Sequence, residues 1–215
     1  FTGRVTVPPL WDGEQETIVN NESIEIMRML DAAFDDLGTP GVDLYPEGYQ
    51  DEIDRAIDDL YDSLNNGVYR AGFAESQSAY DEAVADVFDA LDHWDAVLAD
   101  QRYLAGDRLT LADVRIFPTL VRFDVVYHTH FSCNRRRVEE YEHLWPYLRD
   151  LYQTPGVAET VNMAHIKQGY YLGDTVSGKS NGIVPVGPDP DFEAPHDRDR
   201  LPGGPPEALA STRAD

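Results

Sequence analysis

The chain has 215 residues, 42% of them hydrophobic, enough for one or two ordinary domains with a sizeable core. No apolar run is long enough to span a bilayer and no signal peptide is visible, so neither a membrane nor export is expected. Asp and Glu number 40 against 17 Lys and Arg, for a net charge of -23, which argues against nucleic acid as a partner because phosphate binding needs positive charge.

Residues 4–10 alternate and are rich in β-branched types, which predicts a strand, with Pro8 demanding an edge, a bulge or a break. Trp11 to Glu14 predicts a turn, and Thr17 to Val19 a second short strand. Ile26, Met27, Leu30, Ala33, Phe34 and Leu37 fall at helical spacing and predict a helix from about Glu22, stopped by Gly38. This β-turn-β-α unit is too small to be a domain. The chain opens on Phe1 rather than Met, within the strand, so an incomplete N-terminus is expected.

From Tyr45 onward the pattern is helical. Helices are predicted over about 47–65, ended by Asn65-Asn66-Gly67, and over about 76–99 and 110–128, with shorter ones over 138–152 and 156–165. Together they predict a bundle. Thr110 and Asp113 form a capping pair at the start of the central helix, worth about 1 kcal/mol. From about Val176 onward, Pro185, Pro188, Pro190, Pro195, Pro202, Pro205 and Pro206 predict a loop or tail, partly disordered at its end.

The acidic residues are spread along apolar-periodic segments, which predicts a solvated carboxylate surface rather than disorder. Cytoplasmic proteins of salt-loving organisms have such surfaces, with salt screening the self-repulsion. The one cysteine, Cys133, allows no intrachain disulfide or thiolate cluster and fits a reducing cytoplasm. Spacing of two between His128 and His130 is wrong for one helical face, so no metal site is expected with Asp124.

Several motifs in register carry a resemblance. Val7-Pro8 followed by Asn21-Glu22-Ser23 resembles the cis-proline strand and the Glu-Ser helix start with which glutathione transferases hold glutathione. Residues 109–113 resemble the folding motif of their helical domain. Residues 6–12, 17–23, 65–69, 121–127, 130–134, 148–152 and 159–162, with Tyr170-Tyr171, resemble the glutathionyl-hydroquinone reductases, or xi class. The resemblance covers about residues 2–201. It implies a mostly α fold: a partial thioredoxin-like β-β-α unit over 1–40, an all-helical transferase domain over 41–175, and a Pro/Gly-rich extension over 176–215.

The resemblance also implies chemistry. The family removes the thiol from S-glutathionyl-hydroquinones, using a cysteine that precedes Pro-Trp; that segment lies upstream of Phe1, so this chain itself is expected to be inactive. Glutathione, or γ-glutamylcysteine in a salt-loving archaeon, is the expected co-substrate, without a metal, in a cytoplasmic homodimer. The alternatives are a non-catalytic γ-glutamyl-thiol-binding or dimerisation module, and a detoxifying transferase of another class.

Arg4, Val5, Thr6 and Val7 are expected to line the thiol groove. The resemblance implies a cis Val7-Pro8 bond, whereas the residues alone favour a trans edge-strand proline. Glu22 is expected to take the ligand's ammonium and Ser23 its carboxylate at a helix N-terminus; alone they are an ordinary cap. Tyr69, Tyr127 and Tyr170 match the family's active-site tyrosines. A phenol with a pKa of about 10 is a proton donor at neutral pH, a role assigned to Tyr69, with thiolate stabilisation for Tyr127 and Tyr170. Without the resemblance they are three among 12 tyrosines with rings in the core. Cys133 is expected to be structural or incidental.

Overall fold

A computed structural model describes residues 7–34, 37, 41–173 and 180–210. The fold is mostly helical, with a small β-β-α unit ahead of an all-helical bundle. Two antiparallel strands, β1 (Leu10–Asp12) and β2 (Thr17–Asn20), set Trp11 opposite Ile18 and Asp12 opposite Thr17. Asp12 Oδ1 accepts the N–H groups of Glu14 and Gln15 at 2.8 and 3.0 Å and closes the turn between them. Trp11 and Asp12 thus belong to a strand, not to the turn predicted for them. The strand predicted over 4–10 falls half outside the described residues; of the rest, Leu10 alone is paired.

Helix α1 (Ser23–Ala32) follows. It ends before Phe34 and Leu37, which the spacing had placed on it, and Gly38 lies outside the described residues. Two strands do not form a stable sheet unaided, and α1 ties the unit they belong to onto the bundle. Arg28 on α1 pairs with Asp54 at 2.7 Å, Asp31 Oδ1 accepts the Leu44 N–H at 3.0 Å, and Ile24 and Met27 pack on the core. The other side stays open: Val7, Trp11, Val19, Leu30, Phe34 and Leu37 supply six of the twelve exposed large apolar side chains among the described residues.

Helix α2 (Gln50–Leu60) buries Ile53, Ile57 and Leu60, spaced at 4 and 3 residues as one helical face requires. It runs into a π-helical turn, Tyr61–Asn65, in which the Asn66 N–H reaches back five residues to the Tyr61 carbonyl at 2.8 Å. The predicted stop at Gly67 is instead the start of a short helix, α3 (Gly67–Gly72). Its two glycines permit close approach: a Cβ would lie 2.8 Å from Val87 at Gly67 and 2.4 Å from the Phe131 ring at Gly72.

Helix α4 (Gln77–Val97) is capped by Ser76 and buries Val87, Phe88 and Leu91; its Trp94 indole donates to Asp59 on α2 at 2.9 Å. The central helix α5 (Leu111–Arg122) continues into a second π-helical turn, Phe123–Tyr127. Helix α6 (Leu144–Gln153) closes the core with Leu144, Tyr147 and Leu148. A helix predicted over 156–165 is displaced: Gly156 takes φ 87°, and α7 (Met163–Gly173) starts after Asn162, whose Oδ1 accepts the His165 N–H at 3.0 Å.

The C-terminal segment is not a loose tail where it is described. Arg198 is fully buried and donates to the carbonyls of Leu98, Gln101 and Arg102 at 2.7, 2.5 and 2.9 Å, neutralising the negative end of α4. Phe192 stacks on Tyr152 with centroids 4.9 Å apart. A short helix, α8 (Glu207–Ala210), ends the described chain.

Candidate active site

Three helical elements converge on one point. Tyr69 stands on α3, Tyr127 ends the π-helical turn after α5, and Tyr170 lies on α7. Their hydroxyl oxygens form a triangle with sides of 2.6 Å (Tyr69–Tyr170), 3.0 Å (Tyr127–Tyr170) and 3.1 Å (Tyr69–Tyr127). Phe131 lies against all three rings, with centroids 5.4, 5.5 and 5.9 Å from Tyr69, Tyr127 and Tyr170. The sequence offered one weak sign of this platform, the run from His130 to Asn134. Both π-helical turns lie just before a site tyrosine or end on one, which is where such turns often occur.

A phenol carries one proton and accepts others. Each of the three can donate once, either to a neighbour in the triangle or outward to a ligand. Burial is the chief reason the Tyr127 hydroxyl is held well above the ordinary tyrosine range, with the Tyr170 and Tyr69 hydroxyls adding to it. Tyr170 is raised as well, first by burial and then by Tyr69. Tyr127 and Tyr170 therefore keep their protons at neutral pH. A groove of about 540 Å³, lined by Asn66, Tyr69, Arg70 and Phe73 among others, opens beside the cluster.

The other expected site residues sit on the β-β-α unit. The Val7–Pro8 bond is cis and Val7 is exposed. Arg4, Val5 and Thr6 lie outside the described residues. Glu22 caps α1 in an extended conformation, its N–H donating to Asn20 Oδ1 at 2.7 Å. Ser23, the first residue of α1, accepts a hydrogen bond from the Arg115 guanidinium on α5. Arg115 is a neighbour that spacing could not reveal. Cys133 is fully buried, and its N–H donates to the Tyr127 carbonyl at 3.0 Å. Among the described residues no group of three or more His, Cys, Asp or Glu is placed to hold a metal ion. No described helix is long and apolar enough to cross a membrane.

A bundle of this layout, entered from a β-β-α unit, defines the glutathione transferases, and the family described as glutathione S-transferase, C-terminal domain, matches residues 77–150. A xi-class transferase from Natrialba magadii is 63% identical, with a TM-score of 0.88 over 93% of this chain and 62% of that one. Glutathionyl-hydroquinone reductase YqjG of Escherichia coli K-12 is 51% identical over 199 residues, 93% of this chain and 60% of its own length. A xi transferase from Phanerochaete chrysosporium is 46% identical, with a TM-score of 0.83 over 92% of this chain and 67% of that one. The chain belongs to the xi class of glutathione transferases, the glutathionyl-hydroquinone reductase family. It spans 60% of the length of the E. coli relative.

Proposed function

We propose that this chain is the tyrosine-bearing part of a glutathione-dependent reductase that removes the thiol from S-glutathionyl-hydroquinones. The observation that carries the reading is the triangle of hydroxyls with sides of 2.6 to 3.1 Å, built from the three tyrosines that match the family's active site. A thiolate attacks the sulfur of the conjugate and the carbon–sulfur bond breaks. Its electron pair stays on the ring carbon, which takes a proton from Tyr69, and the hydroquinone leaves. Tyr127 and Tyr170, kept protonated by burial, donate to the developing negative charge. A second glutathione then attacks the enzyme–glutathione disulfide, releasing oxidised glutathione and the free thiolate, and its proton returns to Tyr69 through solvent.

The attacking thiolate is not Cys133, whose side chain is fully buried away from any substrate. It comes from chain beyond the 215 residues, in a cysteine that precedes Pro-Trp. Val7, Glu22 and Ser23, with Arg4, Val5 and Thr6, hold the γ-glutamyl end, of glutathione or of γ-glutamylcysteine. The protein works as a cytoplasmic homodimer. A second reading, a γ-glutamyl-thiol-binding or dimerisation module without turnover, is favoured by the same burial of Cys133.

The test compares this chain with a version extended upstream to include a Cys-Pro-Trp segment, assaying reduction of glutathionyl-menadiol. Turnover by the extended protein alone, lost on Tyr69→Phe, is expected. No turnover by it, with glutathione still binding both versions, overturns the reductase in favour of the binding module.

A further inference from the structure

Six arginines among the described residues are paired with acids. Arg28, Arg55, Arg70, Arg102, Arg137 and Arg200 each lie within 4 Å of a carboxylate. Arg115 has no such partner among the described residues. One face of its guanidinium covers the Tyr61 ring, 5.1 Å from the centroid, one N–H group donates to Ser23 Oγ, and its Nε–H is buried with no acceptor among the described residues. This half-buried cation therefore meets the first residue of α1, where the helix dipole is already positive.

We propose that Arg115 is a positioning residue for the carboxylate of a γ-glutamyl thiol, acting through Ser23; the inference rests on the thiol-binding role given to Glu22 and Ser23. A serine hydroxyl has one proton and two lone pairs. With one lone pair taken by Arg115, the Ser23 proton is turned away from the guanidinium and is left to donate to the ligand. The positive charge behind it strengthens that donor. It also offsets locally the repulsion that a chain of net charge -23 exerts on an anionic peptide. Arg115 stands on α5, the helix that runs on to Tyr127. Twelve residues of helical rise, about 18 Å, separate the two. One rigid element thus sets where the γ-glutamyl end is anchored and where the phenols wait.

The test is calorimetry on the full chain with glutathione and with its analogue in which the γ-glutamyl α-carboxylate is an amide. Arg115→Gln is expected to weaken glutathione about tenfold and the amide hardly at all, because the lost interaction is charge-assisted. Arg115→Lys, which keeps the charge and stands in where the glutamine variant does not fold, is expected to retain preference for the carboxylate over the amide. Equal weakening of both ligands, or unchanged discrimination in both variants while Ser23→Ala abolishes it, overturns the inference and leaves the thiol site standing. No binding of glutathione by the unsubstituted chain, or binding unaffected by Glu22→Gln and Ser23→Ala, overturns the underlying reading and the inference with it.

Discussion

The hydroxyl oxygens of Tyr69 and Tyr170 lie 2.6 Å apart, joining residues 101 positions apart in sequence through one hydrogen bond. With Tyr127 at 3.1 and 3.0 Å from them, the pair closes a triangle of mutual contacts. In a spectrophotometric titration Tyr127 and Tyr170 are expected to ionise above the ordinary tyrosine range of about pH 10. The Tyr127→Phe curve should then overlay the parent curve through that range while the protein remains folded. A step lost from the ordinary range in the variant contradicts the burial argument. The same substitution should lower stability by about 1 kcal/mol, since the ring packing survives and one hydroxyl's bonds are lost.

Asp113 does more than cap a helix. Its carboxylate is fully buried and accepts the N–H groups of Leu104 and Thr110 at 3.0 and 2.8 Å. It also accepts the hydroxyls of Thr110 and Tyr147 at 3.0 and 2.7 Å. Burial raises its pKa and these four donors oppose the rise. The capping pair was worth about 1 kcal/mol on the sequence alone. Asp113→Ala leaves four buried donors without acceptors and should cost about 3–5 kcal/mol in urea denaturation. A loss near 1 kcal/mol would return Asp113 to the role of a simple cap.

The site was legible where side-chain type and motif carried it, and illegible where backbone geometry did. Tyr69, Tyr127 and Tyr170 were nameable from their motifs, yet their meeting depends on two π-helical turns, each inserting one residue into a helix. A one-residue shift barely alters the apolar pattern of a 19-residue stretch, so both helices read as uninterrupted. Helix α3 is short and glycine-flanked, and glycines there serve close packing on Val87 and Phe131 rather than termination. The C-terminal segment read as a tail because its anchors have no period. Arg198 meets three carbonyls, and the carbonyls of Phe192 and Ala194 receive the Gln153 amide. Arg115 was invisible for a like reason, since its partner Ser23 lies 92 residues away.

Asp124 makes stability depend on pH. Its carboxylate is buried between the N–H groups of Val138 and Glu139, at 2.7 and 3.0 Å. Burial pushes its pKa up to about 6, against those two hydrogen bonds, with Glu139 adding to the rise and Arg137 opposing it. Unfolded, the group titrates near 3.9. Between about pH 4 and 6 the folded state holds a proton that the unfolded state has lost, so stability falls as pH rises through that window. Melting in molar salt, where surface repulsion is screened, should give a higher Tm at pH 5 than at pH 7. Asp124→Asn should flatten that difference. A slope unchanged in the variant would place the titrating group elsewhere.

Surface charge sets the last expectation. A net charge of -23 repels itself across the whole molecule, and the arginine–carboxylate pairs offset it at few points. Most are exposed pairs, worth under about 1 kcal/mol each. At low ionic strength the Debye length of about 30 Å exceeds the molecule's radius, so the carboxylates repel one another, while at 1 M it falls to about 3 Å and neighbouring side chains are screened. The unfolded chain, more expanded, relieves the repulsion, so screening favours the folded state. The Tm should therefore rise steeply from millimolar to molar potassium chloride. Most of the gain should come by a few tenths molar, if screening rather than specific ion binding is the cause. A gain that continues linearly to several molar, and differs between potassium and sodium, would assign it to cation binding at the carboxylates; equal Tm in low and molar salt would refute the expectation that the carboxylate repulsion destabilises the fold.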